Sequence, residues 1–252
     1  MANQSVIVAE PGGPAVDDAG AVAEALARAS LALARRFSEG ATMWCASPEW
    51  PFHARHVAVE FVHPVIVGKR ALPAVTVPPS ADLVARLRAS VAPGDIVVAL
   101  ADVDDQRVVE AMRRGQAWGV ETVWIGAGPT RPPVGAADHV IWLGTDDPLE
   151  ASERFVRIYH LLWELTHVCF EHPGLLRPEP DGAAIGEVGS VCITCSDEGR
   201  PAEVVSVDGD EALVRTAAGR ETVDVSLIDS PGPGDLILVH AGFAISSSPA
   251  AG

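Results

Sequence analysis

Lysine is almost missing from this 252-residue chain: of 18 basic residues only Lys69 is one, and 34 acidic side chains leave a formal charge of −16. With no basic face to neutralise phosphates, the sequence argues against a general nucleic-acid binder. The arginine preference itself reads as base-composition bias. Long apolar runs are absent too. None approaches the roughly 20 residues that span a bilayer, and no basic start leads into an apolar signal segment. The sequence therefore predicts a cytoplasmic protein with no membrane partner. Cysteine is scarce, four in all, and does not make the disulfide framework of a small secreted domain. Cys45 and Cys169 fall in apolar runs and are expected as buried small hydrophobes. Cys192 and Cys195 differ: they stand three positions apart, and Asp197, Glu198 and Gly199 follow at once, which places them at a strand end or turn.

What the chain does contain is a hydrophobic share of 48%, ample for a packed core, with 23 glycines and 20 prolines to punctuate it. After a loose stretch of about 15 residues, helix formers run from Ala21 to Phe37. Strand-like runs at Thr42–Cys45, Ala71–Val77, Ile96–Leu100, Glu121–Gly126 and Val140–Leu143 then alternate with helical ones. The predicted helices cover Phe52 to Val62, Ser80 (as cap) to Ser90, Gln106 to Trp118 with Gly119 as stop, and Leu149 to Phe170. This alternation predicts an α/β domain over residues 16–171, a parallel sheet with right-handed crossovers. Residues 172–188 are a Pro/Gly-rich linker. Beyond it come five short strands, Gly189–Cys192, Ala202–Val207, Glu211–Thr216, Glu221–Val225 and Leu236–His240. They predict a small closed β-barrel over residues 189–246, and the tail from Ser246 is expected to fray.

Two constellations carry chemistry. His56 and Glu60 stand at i and i+4 on a predicted helix and share a face, and His160 on the last long helix could complete a three-donor set. Such a set suits a divalent metal or an acid/base pair. Spacing alone favours the plainer reading, a helix-face pair beside a core histidine. Cys192 and Cys195 could hold one metal between two thiolates or form a redox disulfide.

The first domain resembles the SIS (sugar isomerase) family, above all the sedoheptulose-7-phosphate isomerases. The resemblance rests on Ala54-Arg55-His56-Val57-Ala58-Val59-Glu60-Phe61, which follows the family's A-x-H-x-A-x-E-F helix, and on His160, eight residues after Ser152. It implies an α/β/α sandwich and homo-oligomers. It also implies Glu60 as base, His160 as acid, and a divalent metal such as zinc on His56, Glu60 and His160. The departures are large. Ser152 replaces a glutamine ligand. The glycine-rich first phosphate loop has become Ala46-Ser47-Pro48-Glu49-Trp50-Pro51. The hydroxyl cradle has become Ala101-Asp102-Val103-Asp104-Asp105-Gln106, where three carboxylates would repel an anion. Phosphosugar isomerisation is therefore not expected.

The second domain resembles the HypC/HupF family of [NiFe]-hydrogenase assembly chaperones. Gly234-Asp235-Leu236-Ile237-Leu238-Val239-His240-Ala241-Gly242-Phe243-Ala244-Ile245 follows that family's closing element almost throughout. Ala202-Glu203-Val204-Val205 fits its first barrel strand. The resemblance implies a small, OB-like barrel whose Cys192 holds iron as Fe(CN)₂CO and meets the hydrogenase large-subunit precursor, with His240 in support. A HypD-type iron-assembly protein is the other implied partner. Here the cysteine is internal, so no free α-amine lies beside it, and Cys195 stands near where the family has proline. The expectation is a maturation accessory protein, not an enzyme, that delivers the iron fragment from Cys192 and Cys195. The alternatives are a metal-dependent isomerase or lyase using Glu60 and His160, and a thiol redox module.

Overall fold

The computed structural model describes residues 19–176 and 199–248. The first stretch runs α1 (Ala19–Ser38), β1 (Met43–Ala46), α2 (Pro51–Val62), β2 (Ala74–Thr76), α3 (Leu83–Ser90) and β3 (Ile96–Leu100). It continues with α4 (Gln106–Trp118), β4 (Glu121–Ala127), β5 (His139–Leu143) and α5 (Pro148–Glu171), and ends in a 3₁₀ turn, Pro173–Leu176. All strand pairs are parallel, in the order β2-β1-β3-β4-β5. The chain order reverses between β1 and β3, which puts a crevice outside the carboxyl ends of those strands. β3 is buried at every position, Ile96 to Leu100, because helices cover both faces of the sheet. On one face Leu33, Phe61, Phe155 and Tyr159 from α1, α2 and α5 form the core; on the other, Leu87, Met112, Trp118 and Trp124 from α3, α4 and β4 do.

The local signals act as polar chemistry dictates. Gly119 takes the left-handed conformation (φ 71°) and ends α4. Asp105 and Asp147 cap α4 and α5. One cap corrects the sequence expectation: Asp82, not Ser80, receives the Ala85 N–H at 2.8 Å, and α3 begins only at Leu83. β2 is likewise three residues long, since Leu72 and Pro73 lie before it.

The second stretch is a closed barrel of β6 (Arg200–Asp208), β7 (Glu211–Thr216), β8 (Gly219–Asp224), β9 (Leu236–His240) and β10 (Phe243–Ser248), in ring order β10-β8-β7-β6-β9. Ala202, Val204, Val214, Val223, Ile237, Val239 and Ala244 fill it. The expected tail is thus a strand as far as Ser248. The run Ser246-Ser247-Ser248 has low β-propensity, but it is carried by its ladder with Leu238, Ile237 and Leu236. The expected strand Gly189–Cys192, most of the linker and the last four residues lie outside the described residues.

One side chain couples the barrel to the α/β layer. Ala202 and Val204 point into the barrel, so Glu203 points out of it, yet it is only 2% exposed. Arg88 of α3 donates from Nε at 3.0 Å and also from Nη2, while the Trp118 indole N–H donates at 3.0 Å. Arg114 Nε lies 3.3 Å from the carboxylate without hydrogen-bond alignment. Its other nitrogens bond Glu110 and the Gly234 carbonyl. Two guanidiniums and two carboxylates thus neutralise one another, with the indole as a further donor, and of these groups Arg88 reaches water most. Glu203→Ala leaves Arg88, a third exposed, and the Trp118 indole N–H without their acceptor, while Arg114 keeps Glu110, and is expected to cost about 1–3 kcal/mol in urea denaturation.

At the foot of the sheet, Glu121 accepts from Arg36 (3.1 Å) and sits 2.9 Å from His139 Nε2. The His139 hydrogen bond, then Arg36, hold its carboxyl below the ordinary 4.5, against the opposing pull of burial. A depressed carboxyl contributes stability above its unfolded value, and that contribution is lost as pH falls through the folded one. Thermal unfolding should therefore show an acid limb below about pH 4.5 that Glu121→Gln flattens. An unchanged limb would assign the effect to other carboxylates.

Candidate functional site

α2 and α5 lie side by side, and their contact is a polar seam. On α2, His53, His56 and Glu60 fall at i, i+3 and i+7, one face of the helix. On α5, Ser152, Tyr159 and His160 meet them in the same order. His53 Nε2 lies 3.1 Å from Ser152 Oγ, and His56 Nδ1 lies 2.7 Å from the Tyr159 hydroxyl. His56 Nε2 and His160 Nε2 both stand 3.2 Å from the same oxygen, Glu60 Oε1. The structure thus brings together all three residues of the expected His–Glu–His set, with donor atoms within 4.8 Å of one another.

The protonation logic is constrained. A carbonyl cannot donate, so His160 Nδ1, 2.7 Å from Val156 O, must carry the proton there. In the neutral ring Nε2 then has a bare lone pair 3.2 Å from a carboxylate oxygen, without hydrogen-bond alignment. Two acceptors in contact need a cation between them, either a proton or a metal ion. Ligands at about 2.0–2.1 Å around a tetrahedral ion are about 3.3 Å apart, close to the separations found. Tyr159 adds an outer hydrogen bond that orients His56. Burial, with the Glu60 charge, pushes its phenol up to about 12, so it stays protonated.

His53, Tyr159 and the contact of Ser152 escaped sequence reasoning. His53 is 1% exposed, packed by Trp50, Phe52 and Phe155. Burial, helped by His56, pulls its pKa down to about 4, so the ring is neutral. The i, i+3, i+7 spacing of His53, His56 and Glu60 was the available signal. Ser152, standing where the resembling family has a metal ligand, is engaged by His53 instead.

The crevice at the carboxyl ends of the strands holds a cavity of about 180 Å³ lined by Trp50, Asp102, Val103, Asp104, Gly128, Thr145, Asp146 and Asp147, among others. The expectation of three carboxylates from one loop changes in detail. Asp105 is not on the lining: it caps α4 and is gripped by the Arg107 guanidinium at 2.8–2.9 Å. Asp146 and Asp147 take its place from the β5–α5 loop. Burial and the charges of Glu49, Asp104 and Asp105 push the Asp102 carboxyl up. The pocket disfavours anions.

In the barrel, His240 ends β9, half-buried, and Phe243 starts β10 opposite it. The two residues between them, Ala241 (φ 49°) and Gly242 (φ 86°), both have positive φ, as a tight two-residue hairpin requires. Arg200 pairs with Val239, so the chain joins the barrel beside His240. Cys192 and Cys195 lie outside the described residues. Cys45 and Cys169 are buried free thiols, as expected, and burial pushes both up.

Fold and site define a two-part protein, an open parallel α/β layer with a His–Glu–His seam joined to a closed five-stranded barrel that ends in a hairpin. Residues 199–249 match the HupF/HypC family model. The barrel is thus a HupF/HypC-family domain, and the matched span begins downstream of Cys192 and Cys195. Among solved structures, a phosphoheptose isomerase from Francisella tularensis is similar to the N-terminal part at 14% identity. It covers 57% of this chain and 86% of its own, with a TM-score of 0.49. Phosphoheptose isomerase GmhA from Neisseria gonorrhoeae has the same identity and coverage, with a TM-score of 0.47. The sugar isomerase domain of an RpiR transcription factor from Sphaerobacter thermophilus is 18% identical, over 61% of this chain and 81% of its own, with a TM-score of 0.43. No curated protein matches. Among the described residues no helix is long and apolar enough to cross a membrane.

Proposed function

We propose that the chain is a [NiFe]-hydrogenase maturation accessory protein that delivers Fe(CN)₂CO to the large-subunit precursor. The carrying observation is the HupF/HypC match over residues 199–249, which coincides with the closed barrel and its His240–Phe243 hairpin. Cys192 is the principal iron ligand, Cys195 its helper or redox partner, and His240 the supporting group. A soft thiolate grips low-spin iron, yet yields it to another thiolate on the acceptor. Cys195 and Cys192 precede Gly199 by four and seven residues, a chain reach of at most about 14 and 25 Å. Since Arg200 pairs beside His240, both thiols can come to the imidazole end of the barrel. The iron fragment comes from a HypD-type assembly partner in the cytoplasm. The α/β layer supplies homo-oligomerisation, and its sugar-phosphate chemistry is gone.

Cys192→Ala should abolish hydrogenase activity in cells and the cyanide and carbonyl stretching bands of the anaerobically purified protein. It should leave the barrel folded. Normal hydrogenase maturation in that strain would sink the carrier reading.

One observation favours a second activity: the convergence of His56, Glu60 and His160. The donor set fits a borderline divalent ion such as zinc, with Glu60 and His160 as its acid/base pair in a metal-dependent isomerase or lyase. When bound, the ion would act as a Lewis acid. Without the ion, Glu60 and His160 share the transferable proton between Oε1 and Nε2, and in either state Tyr159 fixes the ring of His56. The cavity lining excludes phosphates and leaves neutral or cationic substrates. Metal analysis of His56→Ala beside Cys192→Ala separates the readings. Divalent metal lost only from the first supports the enzyme, and iron lost only from the second supports the carrier.

A further inference from the structure

The clamp on Glu203 settles which wall of the barrel can meet another protein. In the ring order β10-β8-β7-β6-β9, the strand that carries Glu203 is β6, and its two neighbours also lean on the α/β layer. From β9, Leu236 packs against the α3–α4 core. From β7, Arg215 donates to the Arg88 carbonyl, and Ala217 just beyond it crowds Gly119, where a Cβ would come within 3.0–3.2 Å of it. Three of five strands thus face inward to this chain's own α/β layer. The position opposite β6 in a five-membered ring is the seam between β8 and β10.

That seam is narrow and unlike the rest of the barrel. β8 and β10 touch at one pair, Phe243 with Asp224, tied by the Asp224 N–H to the Gly242 carbonyl at 2.9 Å. Around it stand apolar side chains in water: Phe243 is 45% exposed, Ile245 48% and Leu227, three residues past β8, 67%. Acidic groups rim them. Asp224 pairs with Glu211 across β7–β8, and Asp210 accepts the Val225 N–H. Ser226 holds the Asp224 carboxylate from its N–H (2.8 Å) and its hydroxyl (2.5 Å). An apolar centre within a charged rim is the layout of a protein contact. A second copy fits poorly, because face-to-face packing would set these carboxylates against their own equivalents.

We propose that the β8–β10 wall is the docking surface of the barrel for a partner protein that offers an apolar side chain flanked by arginine or lysine. The α/β layer serves as the fixed base that masks the opposite wall and aims this one outward. Phe243 is the anchor, and Asp210, Glu211 and Asp224 steer the basic flanks. The surface adjoins His240 through the Phe243–His240 pair, so a partner seated there lies next to the imidazole. The choice of probe below rests on the maturation reading given above.

The test uses the full chain and the purified [NiFe]-hydrogenase large-subunit precursor, followed by titration calorimetry and deuterium exchange. Binding should protect residues 224–228 and 243–247 and leave β6 and α4 as they were. Phe243→Asp should weaken affinity at least tenfold. Glu211→Lys should weaken it several-fold and reduce its salt dependence. Exchange of β6 and β9 amides in the free variants, if unchanged, shows that the barrel is intact. Binding that protects another surface, or that survives Phe243→Asp with the barrel intact, overturns the docking wall and leaves the maturation role standing. No binding by the unaltered chain overturns both.

Discussion

A carboxylate on the outer wall of a small barrel would normally sit in water. Glu203 instead lies between Arg88, Arg114 and Trp118, and the other contacts between the two halves, from Leu236, Arg215 and Ala217, are arranged around it. The net charge of −16 makes association of acidic surfaces unfavourable. The interface escapes this because its buried acids, Glu203 and Glu110, each have a guanidinium in contact. Such a group adds less by its own attraction than it removes by penalising every other arrangement: shifted by one strand, the carboxylate would be desolvated with no partner. The clamp is therefore chiefly a device of geometry. It fixes β6 to α3 and α4, and with β6 fixed the β8–β10 seam lies across the ring from the α/β layer.

The α2–α5 seam uses polar groups differently. There the partners are not matched in charge: two imidazoles share one carboxylate oxygen, and His160 has its proton committed to a main-chain carbonyl. A scaffold that only needed the helices packed would fill this contact with apolar side chains, as Phe61 and Phe155 do close by. Glu60 at the focus of two rings is an arrangement suited to a cation, and the neighbouring cavity, lined by carboxylates, is hostile to phosphate. The two features are separable, because one lies along the helix faces and the other at the ends of the strands.

How far the sequence foretold this depended on the range of the interaction. The parallel layer was legible because each strand is a short apolar run and each helix an amphipathic one, down to Gly119 as the stop of α4. His56 and Glu60 could be paired because i, i+4 neighbours are local. His160 could be offered as the third donor from its helix, and the resemblance assigned it the role of acid. Two helices packed in a register that no local pattern states brought in His53, Ser152 and Tyr159. The strand through Ser248 was missed for a similar reason: three serines carry no strand signal, and only the ladder to β9 holds them extended. Asp105 was miscounted as a cavity carboxylate because the sequence alone did not disclose that it caps α4 and takes Arg107. Glu203 read as one residue of a barrel strand, since its partners stand 85 to 115 positions away.

The arrangement of charge has a consequence for any cargo held near the barrel. On the proposed maturation role, cyanide and carbon monoxide leave little positive charge on the iron fragment, so acidic surroundings would not retain it by long-range attraction. A thiolate bond must do so, and a bond of that kind is exchanged at contact distance, not across solvent. Exchange then requires that the acceptor approach in one orientation. A barrel on a flexible tether would sample many orientations, and only a fraction would be productive. Clamped through Glu203, it offers one wall, and in the docking proposed above the acidic rim around Phe243 would speed and align the approach of a basic partner without holding on to the cargo itself. Rigidity on one side of the barrel and exposed apolar surface on the other are, on this argument, two halves of the same requirement.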